Sequence, residues 1–181
     1  MLFRSLFSKC PITSVDVVAL DSSSNTSNVL LQILLNKVYG RQCAYSHHTP
    51  DLESMTIDAD AALLIGDNGY EEIDTFPYVY DLGQEWFDWT GLPFVYAVWT
   101  SRIAIDTELA NLLHDSHAWG LKHLEFLARN RAHKHRTSVP RAIHYFTKVM
   151  EYSLSQSHLD GLALYSQLVR ESSASLLLHQ Y

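Results

Sequence analysis

Residues 15–31, Val-Asp-Val-Val-Ala-Leu-Asp-Ser-Ser-Ser-Asn-Thr-Ser-Asn-Val-Leu-Leu, constrain this chain more than any other stretch. A short β-branched run, residues 15–20, suits a strand covered on both faces. Leu30, Leu31, Ile33, Leu34, Leu35 and Val38 then recur at helical spacing and wrap much of a helix surface. Between them lie Ser22, Ser23, Ser24, Asn25, Thr26 and Ser27. A helix start leaves unpaired N–H groups and a partial positive charge, which together suit an anion. Hydroxyl side chains add neutral donors that close around a carboxylate or a phosphate. The same residue types are ordinary N-caps, and a cap accounts for one or two of them. Six in succession exceed that need, so the stretch is read both as a capped turn and as a candidate anion site.

The chain of 181 residues suits one domain or two small lobes, and 47% hydrophobic content supplies a core. A formal net charge of −7 argues against a nucleic-acid surface, although Arg129, Arg131, Lys134 and Arg136 form a local basic patch. Cys10 and Cys43 make no disulfide framework and point to a reducing, cytoplasmic setting. No apolar run reaches membrane-spanning length. Residues 1–10 are too short and lack the apolar region of a secretion signal.

Leu2, Phe3, Leu6 and Phe7 open the chain in core-like sequence with no polar lead-in, which is expected where something precedes it. Gly40 stands where a helix C-terminal cap belongs. Residues 42–46 read as a second strand, 51–55 as a short helix started by Asp51 or Thr49, and 61–65 as another buried strand. This alternation predicts parallel pairing with right-handed crossovers. Gly66-Asp67-Asn68-Gly69 closes the last strand. It is read either as a plain Gly-rich turn or as a wall of the crevice beyond the strand ends.

The remainder reads as a helix over 84–89 stopped by Gly91 and Pro93, a strand over 94–99, and one long helix over 106–132. The buried stripe of that long helix is expected at Leu109, Leu113, Ser116, Gly120, Leu124 and Leu127. A polar connector follows at 133–139, then helices over 141–151 and 159–168, and a tail of Leu176, Leu177 and Leu178 suited to docking. The aromatic concentration between Tyr80 and Trp99 suits plain core or a pocket wall. Ten histidines invite a metal reading. His114 and His117 share a helix face, with His123 two turns on, but HExxH, paired cysteines and a carboxylate at ligand spacing are all missing, so no metal is expected. No GxSxG, P-loop or GxGxxG occurs, and no cofactor is implied.

Several stretches together resemble the chorismate dehydratases of the futalosine route to menaquinone. The resemblance is carried by Leu6-Phe7-Ser8-Lys9 with Pro11-Ile12, by residues 18–27, and by residues 59–67. It is most specific at Tyr80-Asp81-Leu82-Gly83-Gln84-Glu85-Trp86 and at residues 89–99, Trp-Thr-Gly-Leu-Pro-Phe-Val-Tyr-Ala-Val-Trp. Glu151-Tyr152-Ser153-Leu154 and His158-Leu159-Asp160-Gly161-Leu162 extend it, while 133–139 is least family-like.

The resemblance implies an α/β, type 2 periplasmic-binding-protein-like fold of two lobes that close on a ligand, here N-terminally truncated and with C-terminal helices. Residues 1–92 would be mainly the far lobe, and 93–181 the return strand and helical remainder of the first lobe. Family members carry, before the point matching Met1, a segment ending in a Tyr-Leu-Asn type motif that places a polar side chain at the reacting ring. The reaction implied is a lyase step, chorismate losing water to give 3-[(1-carboxyvinyl)oxy]benzoate. Ser23, Asn25, Thr26 and Ser27 would hold one substrate carboxylate, with Gly66 and Asp67 beside it. No catalytic base is identified. Two alternatives stand beside this reading. One is a non-catalytic carboxylate-binding or vestigial protein. The other is an enzyme like 1,4-dihydroxy-6-naphthoate synthase. The partner expected is a small carboxylate, not nucleic acid or membrane, and uncovered core surface favours self-association.

Overall fold

The computed structural model describes residues 4–66, 76–134 and 137–178, with side chains through Ser172. Its strands are β1 (Arg4–Ser8), β2 (Val17–Asp21), β3 (Ala44–His48), β4 (Ala61–Ile65) and β5 (Tyr78–Asp81). Its α-helices among those residues are α1 (Asn25–Lys37), α2 (Leu52–Met55), α3 (Leu82–Thr90), α4 (Thr107–Lys122), α5 (Leu124–Lys134), α6 (Val139–His144) and α7 (Gln156–Leu178). Contacts group the chain into a sheet unit, which runs to Tyr96 and resumes at Ser155, and a helical unit, Ala97–Leu154.

In the sheet unit the strand order is β3-β2-β4-β1-β5. The β2 strand pairs parallel with β3 and β4, as the strand–helix–strand spacing predicts. The β1 strand is antiparallel to both β4 and β5, with Arg4 opposite Ile65 and Ser8 opposite Tyr78. The sheet is therefore mixed.

Side-chain alternation along the strands divides the core in two. Leu6, Val18, Leu20, Ala61 and Leu63 face α1, Trp86 of α3, and Leu168 of α7. Phe7, Ala19, Ala62 and Leu64 face α2 through Leu52 and Met55. Because both of their faces are covered, β2 and β4 carry nearly continuous apolar runs, whereas β3, Ala-Tyr-Ser-His-His, is largely exposed. Past the end of α1, Gly40 adopts φ +63°, and the Arg41 N–H reaches back to the Leu35 carbonyl at 2.8 Å. Such a left-handed residue is cheapest when it is glycine.

Several expectations need correction. Residues 94–99 join no strand ladder. The Phe94 ring packs at 5.3 Å from Trp86 and 4.9 Å from Tyr165. Phe94 is thus held by ring contacts, and a β-rich composition cannot reveal that an edge is missing. The strand expected over 42–46 pairs two residues later, as Ala44–His48. The long helix over 106–132 is interrupted at His123, which adopts φ −113°, ψ 25°. The His123 imidazole Nδ1–H donates to the Trp119 carbonyl at 2.8 Å, and its ring stacks on Trp119 at 4.1 Å. The Trp119 carbonyl also accepts the His123 N–H at 3.0 Å, so the imidazole adds a second donor at the point where the helix breaks.

In the helical unit, α4 contains no buried residue, and Ala128 of α5 and Ala142 of α6 are the buried positions among the described residues. Leu113, Ser116, Gly120, Leu124 and Leu127, five of the six expected stripe positions, line a hollow of about 480 Å³ together with Trp99 and Tyr152. Leu109 is exposed. A helix over 141–151 was expected; α6 instead runs into a π-helical turn, Tyr145–Val149. The helix expected over 159–168 extends through Leu178; the side chains of Leu176, Leu177 and Leu178 lie outside the described set.

Candidate functional site

The parallel strands end at Asp21 and Ile65, and α1 begins four residues beyond Asp21. Asp21 is fully buried. Its Oδ1 accepts from the Ser23 N–H at 2.8 Å and from the Ser23 hydroxyl at 2.5 Å, and its Oδ2 accepts from the Ile65 N–H at 3.3 Å. Its carbonyl accepts from Asn28 Nδ2 at 2.9 Å. Asp21 thus ties the end of β2 to the turn and the end of β4 through its carboxylate, and to the first turn of α1 through its carbonyl.

Each sequence-predicted site residue can now be located. Ser23 is exposed and engaged by Asp21. Ser24, which was read as part of the polar turn, is the N-cap of α1 and accepts from the Ser27 N–H at 3.2 Å. Asn25 is exposed, and Thr26 is half-buried with its carbonyl accepting from the Tyr165 hydroxyl at 3.2 Å. Ser27 is 1% exposed, yet its Oγ has no hydrogen-bond partner among the described residues. The Oδ1 of Asn28 is likewise buried and unpaired. Gly66 follows β4 at φ +67° and is half-buried. Asp67 lies outside the described residues.

Capping and turn formation thus account for Ser23 and Ser24, and they leave Ser27 and Asn28 as orphaned buried groups. An unpaired buried hydroxyl or amide costs about 1–3 kcal/mol. Such a cost at the start of a helix, beyond the carboxyl ends of parallel strands, is where an α/β sheet takes its ligands.

The same face of the sheet holds residues that sequence reading passed over. Arg4, at the start of β1, places its guanidinium 3.7 Å over the Tyr96 ring. The Tyr96 hydroxyl is buried and has no hydrogen-bond partner among the described residues. It sits over the first turn of α3, where a Cβ on Gly83 would meet it at 3.0 Å. Burial, then the Asp81 carboxylate, pushes the Tyr96 phenol well above its ordinary range, while Arg4 works the other way. Tyr165 is pushed up by burial alone. Both phenols are therefore neutral donors at physiological pH. Arg4 and Tyr96 are 92 residues apart, and although Tyr96 lies in the family-like stretch 89–99, only the fold reveals the pair. Among the described residues, no group of three His, Cys, Asp or Glu side chains comes together in a way that could hold a metal ion, and no helix is long and apolar enough to cross a membrane.

Comparison with known proteins places these residues in context. A protein family described as menaquinone biosynthesis matches residues 4–171. A chorismate dehydratase from Thermus thermophilus is 34% identical over 115 residues, covering 54% of this chain and 42% of that protein. The match therefore spans less than half the length of this curated relative.

Proposed function

The chain belongs to the menaquinone-biosynthesis family, and from that premise we propose that its sheet unit binds chorismate and serves a dehydratase-type lyase reaction. The observation that carries this reading is the Ser27 hydroxyl, buried on the first turn of α1 with no hydrogen-bond partner among the described residues. A carboxylate set there would accept from Ser27 and from the helix-start N–H groups, giving charge-assisted bonds where neutral donors otherwise stand idle. The relative named chorismate dehydratase supports the choice of acid. The lyase step removes water from chorismate and leaves 3-[(1-carboxyvinyl)oxy]benzoate. Asn25, Thr26, Ser27 and Gly66 form the cradle in this reading, with Asp67 beside Gly66, while Ser23 supports it through Asp21. A two-lobed, periplasmic-binding-protein-like architecture in a cytoplasmic enzyme belongs to the same proposal.

A second reading, carboxylate binding without turnover, is favoured by one observation. Both oxygens of Asp21, the carboxylate within the corner, are engaged by Ser23 and Ile65, which leaves it poorly placed as a base.

Calorimetric titration of the 181-residue chain with chorismate tests binding. Thr26→Ala combined with Ser27→Ala should weaken affinity about tenfold or more, the effect of losing hydrogen bonds to a charged group. Unchanged affinity would return these residues to simple capping. Incubation with chorismate, followed by chromatography for the aromatic product, separates the two readings. Product assigns the lyase, binding without product assigns the second, and no binding overturns both.

A further inference from the structure

The α4 helix carries a second apolar seam beside the one that lines the hollow. Leu109, Leu112, Ser116 and Trp119, with His123 at the C-terminal cap, follow at spacings of three and four in alternation. That is the a and d pattern by which two helices pair along their length. All five residues are exposed, Leu112 at 60% and Trp119 at 50%. Ile103 and Ile105, in the lead-in to the helix, are exposed as well. A standard interface takes about 800 Å² from each partner, a little over half of it apolar. The seam and its lead-in supply that share, with on the order of 500 Å² of apolar surface left in water.

The charges beside the seam identify what covers it. Glu108 in the first turn and Lys122 in the last each stand one residue before a seam position and two heptads apart, so they share one flank of the helix. Both are exposed, and neither forms an ion pair among the described residues. A second copy of the helix laid antiparallel brings Glu108 of each beside Lys122 of the other, twice in a single two-fold contact. The same reversal sets Leu109 against Trp119 and Leu112 against the small Ser116, in both directions. A parallel copy would set Glu108 on Glu108 and Lys122 on Lys122. Asp115 stands midway along the same flank, so in the antiparallel pair it meets its own symmetry mate near the two-fold axis.

We infer that the exposed seam of α4 is a homodimer contact, in which two copies of this chain pair antiparallel through Leu109, Leu112, Ser116 and Trp119. Glu108 and Lys122 set the direction, and the apolar layers supply the affinity.

Sedimentation velocity of the full 181-residue chain over a concentration series tests this. The unsubstituted chain should pass from monomer to a discrete dimer as concentration rises. Leu112→Glu should raise the dimer dissociation constant about thirtyfold or more, the effect of losing a central apolar anchor. Glu108→Lys should raise it about three- to tenfold, because like charges then meet at two places. Combining Glu108→Lys with Lys122→Glu exchanges the charges and should restore the dimer, a recovery that a merely sticky face would not show. Asp115→Asn, which removes the repulsion at the axis, should tighten it about two- to fivefold. All these side chains are exposed, and circular dichroism with the thermal midpoint establishes that each variant is folded. A monomer at every concentration, open-ended aggregation, or a dimer indifferent to Leu112→Glu overturns the inference. A dimer that Leu112→Glu breaks but the charge exchange does not restore overturns the antiparallel pairing.

Discussion

The sheet unit and the helical unit are built from similar apolar patterns and end with different interiors. Leu30, Leu31, Ile33, Leu34 and Leu35 of α1 are all at most 2% exposed. In the helical unit, Leu109, Leu112, Trp119, Leu121 and Phe126 are all exposed, and Trp99 is 86% exposed. Charge divides the same way. Residues 97–154 contain eight Lys and Arg against five Asp and Glu, whereas the rest of the chain contains five against fifteen. Periodicity tells which side of a helix is apolar. It does not tell whether another element covers that side, and here one stripe is sealed while the other lines a hollow.

The largest expected effect tests this contrast directly. Leu34→Ala in the sheet unit should cost about 2–5 kcal/mol, from lost transfer energy plus the cavity left behind. Leu121→Ala, at a half-exposed site in the helical unit, should fall within about 0.5 kcal/mol. Urea unfolding monitored by circular dichroism checks both. Equal losses would mean that the helical unit is covered in solution.

Much of the sheet unit was legible because its local and long-range signals agree. The run at 15–20, the polar turn and the apolar α1 stretch give strand, cap and helix without knowledge of the fold. The strand over 61–65 is recovered at its bounds. The antiparallel placement of β1 was not legible, since strand composition carries no direction. The break at His123 is a change of backbone angles that apolar periodicity does not register, and residues 94–96 depend on rings contributed from α3 and α7. In the candidate site, the hydroxyl-rich turn was visible as composition. Its division into Ser24 as cap, Ser23 as tether and Ser27 as unpaired donor required coordinates, as did the Arg4–Tyr96 pair.

A middle-sized effect probes how tightly the sheet unit is closed. A Cβ on Gly161 of α7 would come within 2.4 Å of the Pro93 carbonyl oxygen, a backbone atom with little room to yield. Gly161→Ala should cost about 1–3 kcal/mol through overpacking, read as a lower denaturation midpoint. A neutral result would show that α7 yields as readily as the helices of residues 97–154, weakening the contrast.

The smallest effect is electrostatic. The Asp60 carboxylate accepts from the Asp16 N–H at 3.0 Å and the Val17 N–H at 2.9 Å, and those bonds hold it below the usual carboxylate range. A depressed folded-state value stabilises the protein above the ordinary carboxylate range, and that contribution is lost as pH falls through it. Asp60→Asn should therefore lower the thermal midpoint slightly at neutral pH and flatten its decline on acidification. An identical acid profile would remove Asp60 from the forces that join β2 to β4.

The direction of β1 also has a consequence in time. Its partners begin at Ala61 and Tyr78, so β1, once it has left a ribosome, waits for more than fifty residues before it can pair with them. Meanwhile β2 and α1 are contiguous and can form early, whereas β1 can enter the sheet only between two late-arriving neighbours. Until then Leu6 and Phe7 stay bare, and the slow step of maturation becomes the insertion of β1 into a nearly finished sheet.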